Sequence, residues 1–278
     1  MRILVKRAGA FGDVLEVTPI IARLRKENPD ARIDIETQYP IVFEKNPHIN
    51  SLAPTGEYDR TIVLDMAFEN LLRKVHPVDA YSEVAFGDRD TPHKLEMHWE
   101  PFDKSKLPSR MNWDKVVVLH PCRNWPIRTL ALSWWQELVN ILNKQGFQIV
   151  ITGTMQDHDG LRNVIDLRSR LFPYQQVGLI DAACCFVCSE SGPMILAQIS
   201  DTPIIAMLTM APERVVKHER TGGYAWRFDA VMANVPCAGC SETFDAPTTS
   251  FGCKFGHGDC VRSFDVQKIA ALVEERAV

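Results

Sequence analysis

Three stretches of the chain combine residue types and spacings that could do chemistry. The first is Ala8-Gly9-Ala10-Phe11-Gly12-Asp13, which follows the apolar run Arg2–Lys6. Gly9 and Gly12 permit close backbone approach and positive φ, and Asp13 then stands at the C-terminal edge of a strand, where open α/β sheets place ligands. A carboxylate there can act as a general base, or it can simply cap the helix that follows. The Gly-x-x-Gly spacing falls short of the Gly-x-Gly-x-x-Gly dinucleotide fingerprint, and no Walker Gly-Lys-Ser/Thr occurs. The second stretch is Ser189-Glu190-Ser191-Gly192-Pro193-Met194, after the apolar run Phe186–Cys188. A Ser/Gly turn opening a helix presents the N–H groups of Ser191, Gly192 and Met194 to an anion, Pro193 having none. An ordinary βα turn without a ligand fits the same spacing. The third is Trp125-Pro126-Ile127-Arg128-Thr129, where Arg128 is the cation nearest the next helix start. A guanidinium suits a phosphate fork, and a solvated loop arginine is the plainer alternative. Asp157 and Asp159 follow Gly153 and could accept from ribose hydroxyls, or be surface acids.

Of the eight cysteines, Cys122, Cys184, Cys185 and Cys188 sit in apolar segments and read as core. The others form Cys237-x2-Cys240-x12-Cys253-x6-Cys260. That pattern predicts one structural zinc held by four thiolates, with His257 able to replace one, although the second pair is spaced more widely than usual. Free thiols, or one disulfide made on oxidation, are the alternative. The Asp-x-Asp pairs at Asp88-Arg89-Asp90 and Asp157-His158-Asp159 are assigned no metal, and no catalytic metal is expected. His120 and Cys122 lie too close along one strand end to imply a Cys–His catalytic pair, and no Gly-x-Ser-x-Gly elbow exists, so hydrolase chemistry finds no footing.

The elements that must position these groups alternate between β-rich runs and helical periods, which predicts parallel sheets built from βαβ units. The expected strands are Arg2–Lys6, Arg32–Glu36, Arg60–Leu64, Val116–Leu119, Gln148–Thr152, Phe186–Cys188 and Ile204–Leu208. The polar segment Gly87–Lys115, interrupted by Pro92, Pro101 and Pro108, reads as a connection. It divides the chain into a short N-terminal lobe, residues 1–110, and a C-terminal lobe, residues 111–262, that carries the Cys-rich segment 237–260. A closing helix in 263–278 shows the stripe Val266, Ile269, Ala270, Val273. Ser133-Trp134-Trp135-Gln136 reads as a capping box for a helix that Gly146 ends. Pro19 predicts a kink or restart near Thr18.

The 31 Lys and Arg against 35 Asp and Glu give a formal charge of -4, so no global field draws nucleic acid or anionic membrane, and a local basic site stays open. No apolar run approaches the roughly 20 residues of a membrane span, and Met1 leads straight into Arg-Ile-Leu-Val-Lys, so a cytoplasmic protein is expected.

Together these pieces resemble the family-nine glycosyltransferases, best known for the ADP-heptose:lipopolysaccharide heptosyltransferases. The opening, from Met1 to Pro19, is similar to the family's strand followed by Gly-(Ala/Asp)-x-Gly-Asp-x-Leu-x-x-(Ser/Thr)-Pro. From Val116 to Ala197 the likeness continues with His-Pro after a strand, Trp-Pro-x-Arg before a Trp-rich helix, and Ser-Glu-Ser-Gly-Pro-Met-Ile-Leu-Ala where the family has Asp-(Ser/Thr)-Gly-x-x-His-Leu-Ala. The resemblance implies a GT-B arrangement, two facing Rossmann-like lobes with acceptor on the first and nucleotide-sugar on the second, and inverting transfer to an acceptor hydroxyl, such as one on a glycan, without a metal. It implies Asp13 as base beside the Gly9–Gly12 loop and Arg128 on the donor phosphates. Ser191, Gly192 and Met194 become the pyrophosphate turn, and Asp157 the acid on the ribose. Glu190 stands for an aspartate that touches sugar hydroxyls, which implies a shifted or different sugar, and Ile195 replaces the usual histidine. Rival readings are a same-fold transferase with another acceptor, such as a modified nucleic-acid base, a degenerate nucleotide-sugar-binding protein, and a metal-binding interaction module.

Overall fold

The computed structural model describes residues 1–71, 74–109, 111–123, 125–219, 227–243 and 252–277. Near the N-terminus, β1 (Arg2–Arg7), β2 (Arg32–Thr37) and β3 (Arg60–Val63) form a three-stranded sheet in the order β2-β1-β3. The pairing is parallel and sets Val5 between Ile35 and Ile62. Helices α1 (Phe11–Leu15) and α2 (Thr18–Glu27) follow β1. The restart falls where Pro19 predicts it, because proline in a helix's first turn forfeits an N–H that had no partner there. Further on come α3 (Ala67–Asn70) and α4 (Pro77–Phe86).

The second sheet has six parallel strands, β4 (Val116–His120), β5 (Gln148–Ile151), β6 (Ile165–Asp166), β7 (Cys185–Ser189), β8 (Ile204–Leu208) and β9 (Phe228–Met232), in the order β6-β5-β4-β7-β8-β9. Every residue of β4, β7 and β8 is buried, as a parallel sheet covered on both faces requires. On one face α5 (Leu132–Lys144) and α8 (Val266–Arg276) bury Trp135, Leu138, Leu142, Ile269 and Val273. On the other, α6 (Pro173–Asp181) and α7 (Gly192–Ala197) pack Val177, Ile180 and Leu196 in a core that runs on without a break to Val5 and Val14 of the first sheet. The chain leaves β4 toward β5 and β6, then returns to β7 on its other side. That reversal opens a crevice at the C-terminal ends of β4 and β7, the position where doubly wound sheets bind ligands.

Between Phe86 and Val116 the described residues contain no α-helix and no strand longer than a single bridge at Lys94. This connection lies against α6 so closely that a Cβ on Gly178 would overlap the Glu100 carbonyl. One expectation needs correction. Ser133 does not cap α5, since Ala131 is the N-cap without a side-chain bond. The start is instead tied by Trp134, whose Nε1 donates to Phe264 O at 2.9 Å. Strands β6 and β9 were not foreseen, being a two-residue strand and a half-buried edge whose apolar pattern is weak. No helix among the described residues is long and apolar enough to cross a membrane.

Candidate active site

A cavity of about 680 Å³ lies between the loop after β1 and the C-terminal ends of β4, β5 and β7. Asp13, Arg128, Asp157, Glu190, Ser191, Gly192 and Met194 all line it.

Asp13 is the third residue of α1 and not its N-cap, a place Ala10 takes. Its carboxylate accepts the Ala10 N–H at 3.0 Å and lies 3.5 Å from the Arg7 guanidinium. Arg7, 2% exposed, also donates to Leu64 O at 3.2 Å and Glu69 at 3.0 Å. Burial works against the Arg7 charge, yet Tyr81, Glu69 and Asp13 together raise the guanidinium above its ordinary value. Gly9, at φ +126°, leaves room for this group, since a Cβ there would stand 3.1 Å from Asp13 Oδ2.

Gly12 and Gly192 mark where the two halves of the chain meet. A Cβ on Gly12 would touch Gly192 Cα at 3.4 Å, and one on Gly192 would touch the Phe11 ring at the same distance. Ser191 precedes α7 as its N-cap, and Met194 already donates its N–H to Ser191 O at 3.1 Å. Of the three donors counted from sequence, Met194 is therefore engaged within the turn, while Ser191 and Gly192 line the cavity.

Arg128 belongs to a 3-10 turn over Pro126–Arg128 and stacks on Trp125, 4.1 Å from the ring centroid. Its Nε is 3.8 Å from Glu190 Oε1. Glu190 is 2% exposed and accepts from Thr209 N (2.6 Å), Thr209 Oγ1 (2.6 Å), Met210 N (3.0 Å) and Ala211 N (2.8 Å). Its carboxylate thus binds the loop after β8, and both oxygens are occupied by protein.

Asp157 is 6% exposed and is likewise held by the protein. It accepts from Arg123 N at 3.2 Å and Thr154 N at 2.7 Å, and lies 3.3 Å from His120 Nε2. Burial pushes its carboxyl up, but the His120 contact and the two N–H groups outweigh that and bring it down to about 2. A Cβ on Gly153, at φ +126°, would overlap Asp157 and press on His120. The ring's other nitrogen, Nδ1, is 3.1 Å from Ser191 Oγ. Arg7, Glu69 and His120 were missed as site residues. Only His120 had a signal, its place at a strand end before Pro121.

Among the described residues, two clusters gather three potential ligand atoms within 4.8 Å of one another, Glu16–His76–His218 and His120–Cys122–Asp157. In the first, His76 Nδ1 accepts from Val78 N at 3.2 Å, so the proton is on Nε2 and neither nitrogen keeps a free lone pair. In the second, His120 and Asp157 are already bonded as described. The four C-terminal cysteines are not gathered so tightly. They are close enough to act on one another, since Cys240 is pushed up to about 11 by burial and then by Cys237, Cys260, Glu190 and Cys253. Cys237 Sγ lies 3.9 Å from His257 Nε2, and none of the eight cysteines is in a disulfide.

The model of glycosyltransferase family 9 (heptosyltransferase) matches residues 73–248, more than half of the chain. The chain belongs to glycosyltransferase family 9. Solved structures of the same fold, GT-B, include an E. coli ADP-heptose lps heptosyltransferase II, 17% identical, covering 100% of this chain and 98% of that one with a TM-score of 0.70. The iron-containing dodecameric glycosyltransferase TibC of enterotoxigenic E. coli H10407 is 14% identical over 99% of this chain and 77% of its own, with a TM-score of 0.77. A family 9 glycosyl transferase of Veillonella parvula DSM 2008 is 16% identical over 83% and 85%, with a TM-score of 0.64. A search of curated protein sequences finds no match. This family 9 member is thus a glycosyltransferase, an enzyme whose cavity is lined by residues that follow strands of both parallel sheets.

Proposed function

We propose that this glycosyltransferase moves a sugar from a nucleoside diphosphate donor, ADP-heptose or a close relative, to an acceptor hydroxyl with inversion and without a catalytic metal. The observation that carries the reading is that Asp13, from the first sheet, and Arg128 and Ser191, from the second, line one cavity. TibC has been solved with ADP-D-beta-D-heptose and E. coli WaaC with ADP, which supports this donor class. The N-terminal lobe, residues 1–110, would take the acceptor and residues 111–262 the donor.

In this mechanism Asp13 removes the acceptor proton as the new bond forms, a contribution of roughly 10²–10⁴-fold. Its hydrogen bond from Ala10 and its contact with Arg7 hold the carboxylate at the cavity wall. Arg128 and the Ser191–Gly192 backbone stabilise the charge that grows on the departing diphosphate. Glu190 acts here by holding Arg128 and the loop at Thr209–Ala211, and Asp157 by holding His120. Both assignments differ from direct contact with sugar and ribose, and they favour a donor sugar held by other groups. The four cysteines Cys237, Cys240, Cys253 and Cys260 would carry a structural zinc next to the turn that bears Arg128, since Cys240 and Cys253 pack against Ile127 and Met210.

The test is a thermal-shift screen of nucleoside diphosphates and nucleotide-sugars, in which a ligand of the folded state raises stability with concentration. The best donor is then assayed for transfer with acceptor glycans, the anomeric product being read by NMR and the metal requirement by chelator. No stabilisation by any nucleoside diphosphate would refute the donor assignment. A retained anomeric configuration, or activity abolished by chelator and restored by a divalent ion, would refute the mechanism.

A further inference from the structure

His120, Ser191 and Asp157 come from the ends of three strands and form one hydrogen-bonded chain across the crevice. Ser191 Oγ has a single hydrogen and stands 3.0 Å from Ser189 O, which can only accept. With that hydrogen on Ser189 O, the contact of 3.1 Å to His120 Nδ1 must be donated by the ring. At the other end His120 Nε2 lies 3.3 Å from Asp157 Oδ2. That carboxylate accepts the Thr154 and Arg123 N–H groups, which favour its ionised form. A lone pair on Nε2 would face it repulsively, whereas an N–H would be attracted.

We infer that both ring nitrogens of His120 act as donors, which makes it the positioning residue that turns Ser191 into a donor toward the leaving diphosphate. The inference rests on the donor-site reading above. With Nδ1–H on its oxygen, Ser191 can only direct its own hydrogen away from the ring, to Ser189 O or, with a donor bound, to a phosphate oxygen. The opposite tautomer would draw the Ser191 hydrogen inward and turn oxygen lone pairs toward the anion.

Two measurements test this with the full chain. First, the imidazole nitrogens of His120 are observed by ¹⁵N NMR with selective labelling, the signals assigned through His120→Asn. Both should show the protonated signature in the unliganded enzyme, and an unprotonated Nδ1 or Nε2 would overturn the inference. Second, ADP, GDP, UDP and the matching nucleosides are titrated by calorimetry. A hydrogen bond involving a charged partner implies that His120→Ala binds the preferred diphosphate about tenfold to a hundredfold more weakly. Nucleoside affinity should stay unchanged, and His120→Asn, which keeps a donor near the Nδ1 position, should recover part of the loss. Equal loss for nucleoside and diphosphate would show a merely structural role and overturn it. If wild type binds none of the three diphosphates, the donor-site reading fails while the NMR result still decides the state of His120.

Discussion

The replacement of Asp13 by Asn separates the proposed base from a structural role. The amide oxygen can still accept the Ala10 N–H that the carboxylate accepts at 3.0 Å, so the first turn of α1 keeps its bond. What is lost is the ion pair with Arg7 at 3.5 Å. Arg7 retains Glu69 at 3.0 Å and the Leu64 carbonyl at 3.2 Å, so its charge is not stranded. Asp13 itself is 31% exposed, which screens the pair and sets its worth near that of a surface ion pair, about 1 kcal/mol or less. A change of that size lowers the melting temperature by about 2–4 °C. Sugar transfer should fall by about two to four orders of magnitude, because an amide cannot take the acceptor proton. Affinity for the nucleoside diphosphate should be unchanged within about twofold, since that ligand would be held by the other sheet. The assays are thermal denaturation, calorimetric titration of diphosphate, and single-turnover transfer with the donor found by screening. A folded variant that transfers sugar at the wild-type rate would show that Asp13 only organises the turn with Arg7, and the mechanism would have lost its base.

Replacing Arg128 by Ala should weaken nucleoside diphosphate binding by about tenfold or more, the scale of a charge-assisted bond, and unchanged affinity in calorimetry would remove Arg128 from the site. Gly153→Ala combines an unfavourable φ with overlap onto Asp157 and pressure on His120, so it should destabilise the fold by about 1–3 kcal/mol and impair diphosphate binding, and a variant with wild-type urea unfolding would contradict that geometry. Elemental analysis should find one zinc per chain, lost in Cys240→Ser, and four titratable thiols without metal would dismiss the site. Burial, followed by the charge of His93, lowers His218 to about 3, so the unfolded chain binds a proton that the native state refuses as pH falls below about 6.5. Glu16, 3.1 Å away and raised by its own burial, works in the opposite direction. Relative to wild type, His218→Gln should therefore gain about 2 kcal/mol between pH 7 and pH 5, and identical pH dependence of urea unfolding in the two proteins would refute the burial argument.

The sheets were legible because their central strands are continuous apolar runs bounded by turn residues. Ile204–Leu208 has the limits expected of it, and β1, β2 and β4 extend one residue past theirs. β6 and β9 escaped because a short or edge strand buries little and needs little pattern. Among the site residues, spacing located the turns but not the partners within them. Asp157 and Glu190 are acids at strand ends, and nothing in sequence told whether their oxygens face a ligand or four N–H and O–H groups of nearby loops. Arg7 lay just past the expected strand Arg2–Lys6, as the last residue of β1, where alternation predicts only which side it faces. Its partners Glu69 and Asp13 lie 62 and 6 residues away in sequence, a pairing set by tertiary packing alone.

The crevice between β4 and β7 exists because the chain changes direction there, whatever side chains occupy the rim. A lineage that inherits this strand order inherits a place for a ligand, and it can replace the groups around it one at a time while each intermediate still folds. The Glu190 carboxylate, turned onto its own loop where relatives are expected to present an aspartate, is one such replacement. Divergence in this family can accordingly alter what is held without relocating where it is held, so an enzyme about 15% identical to its structural relatives can keep their architecture and still part company with them in its choice of sugar.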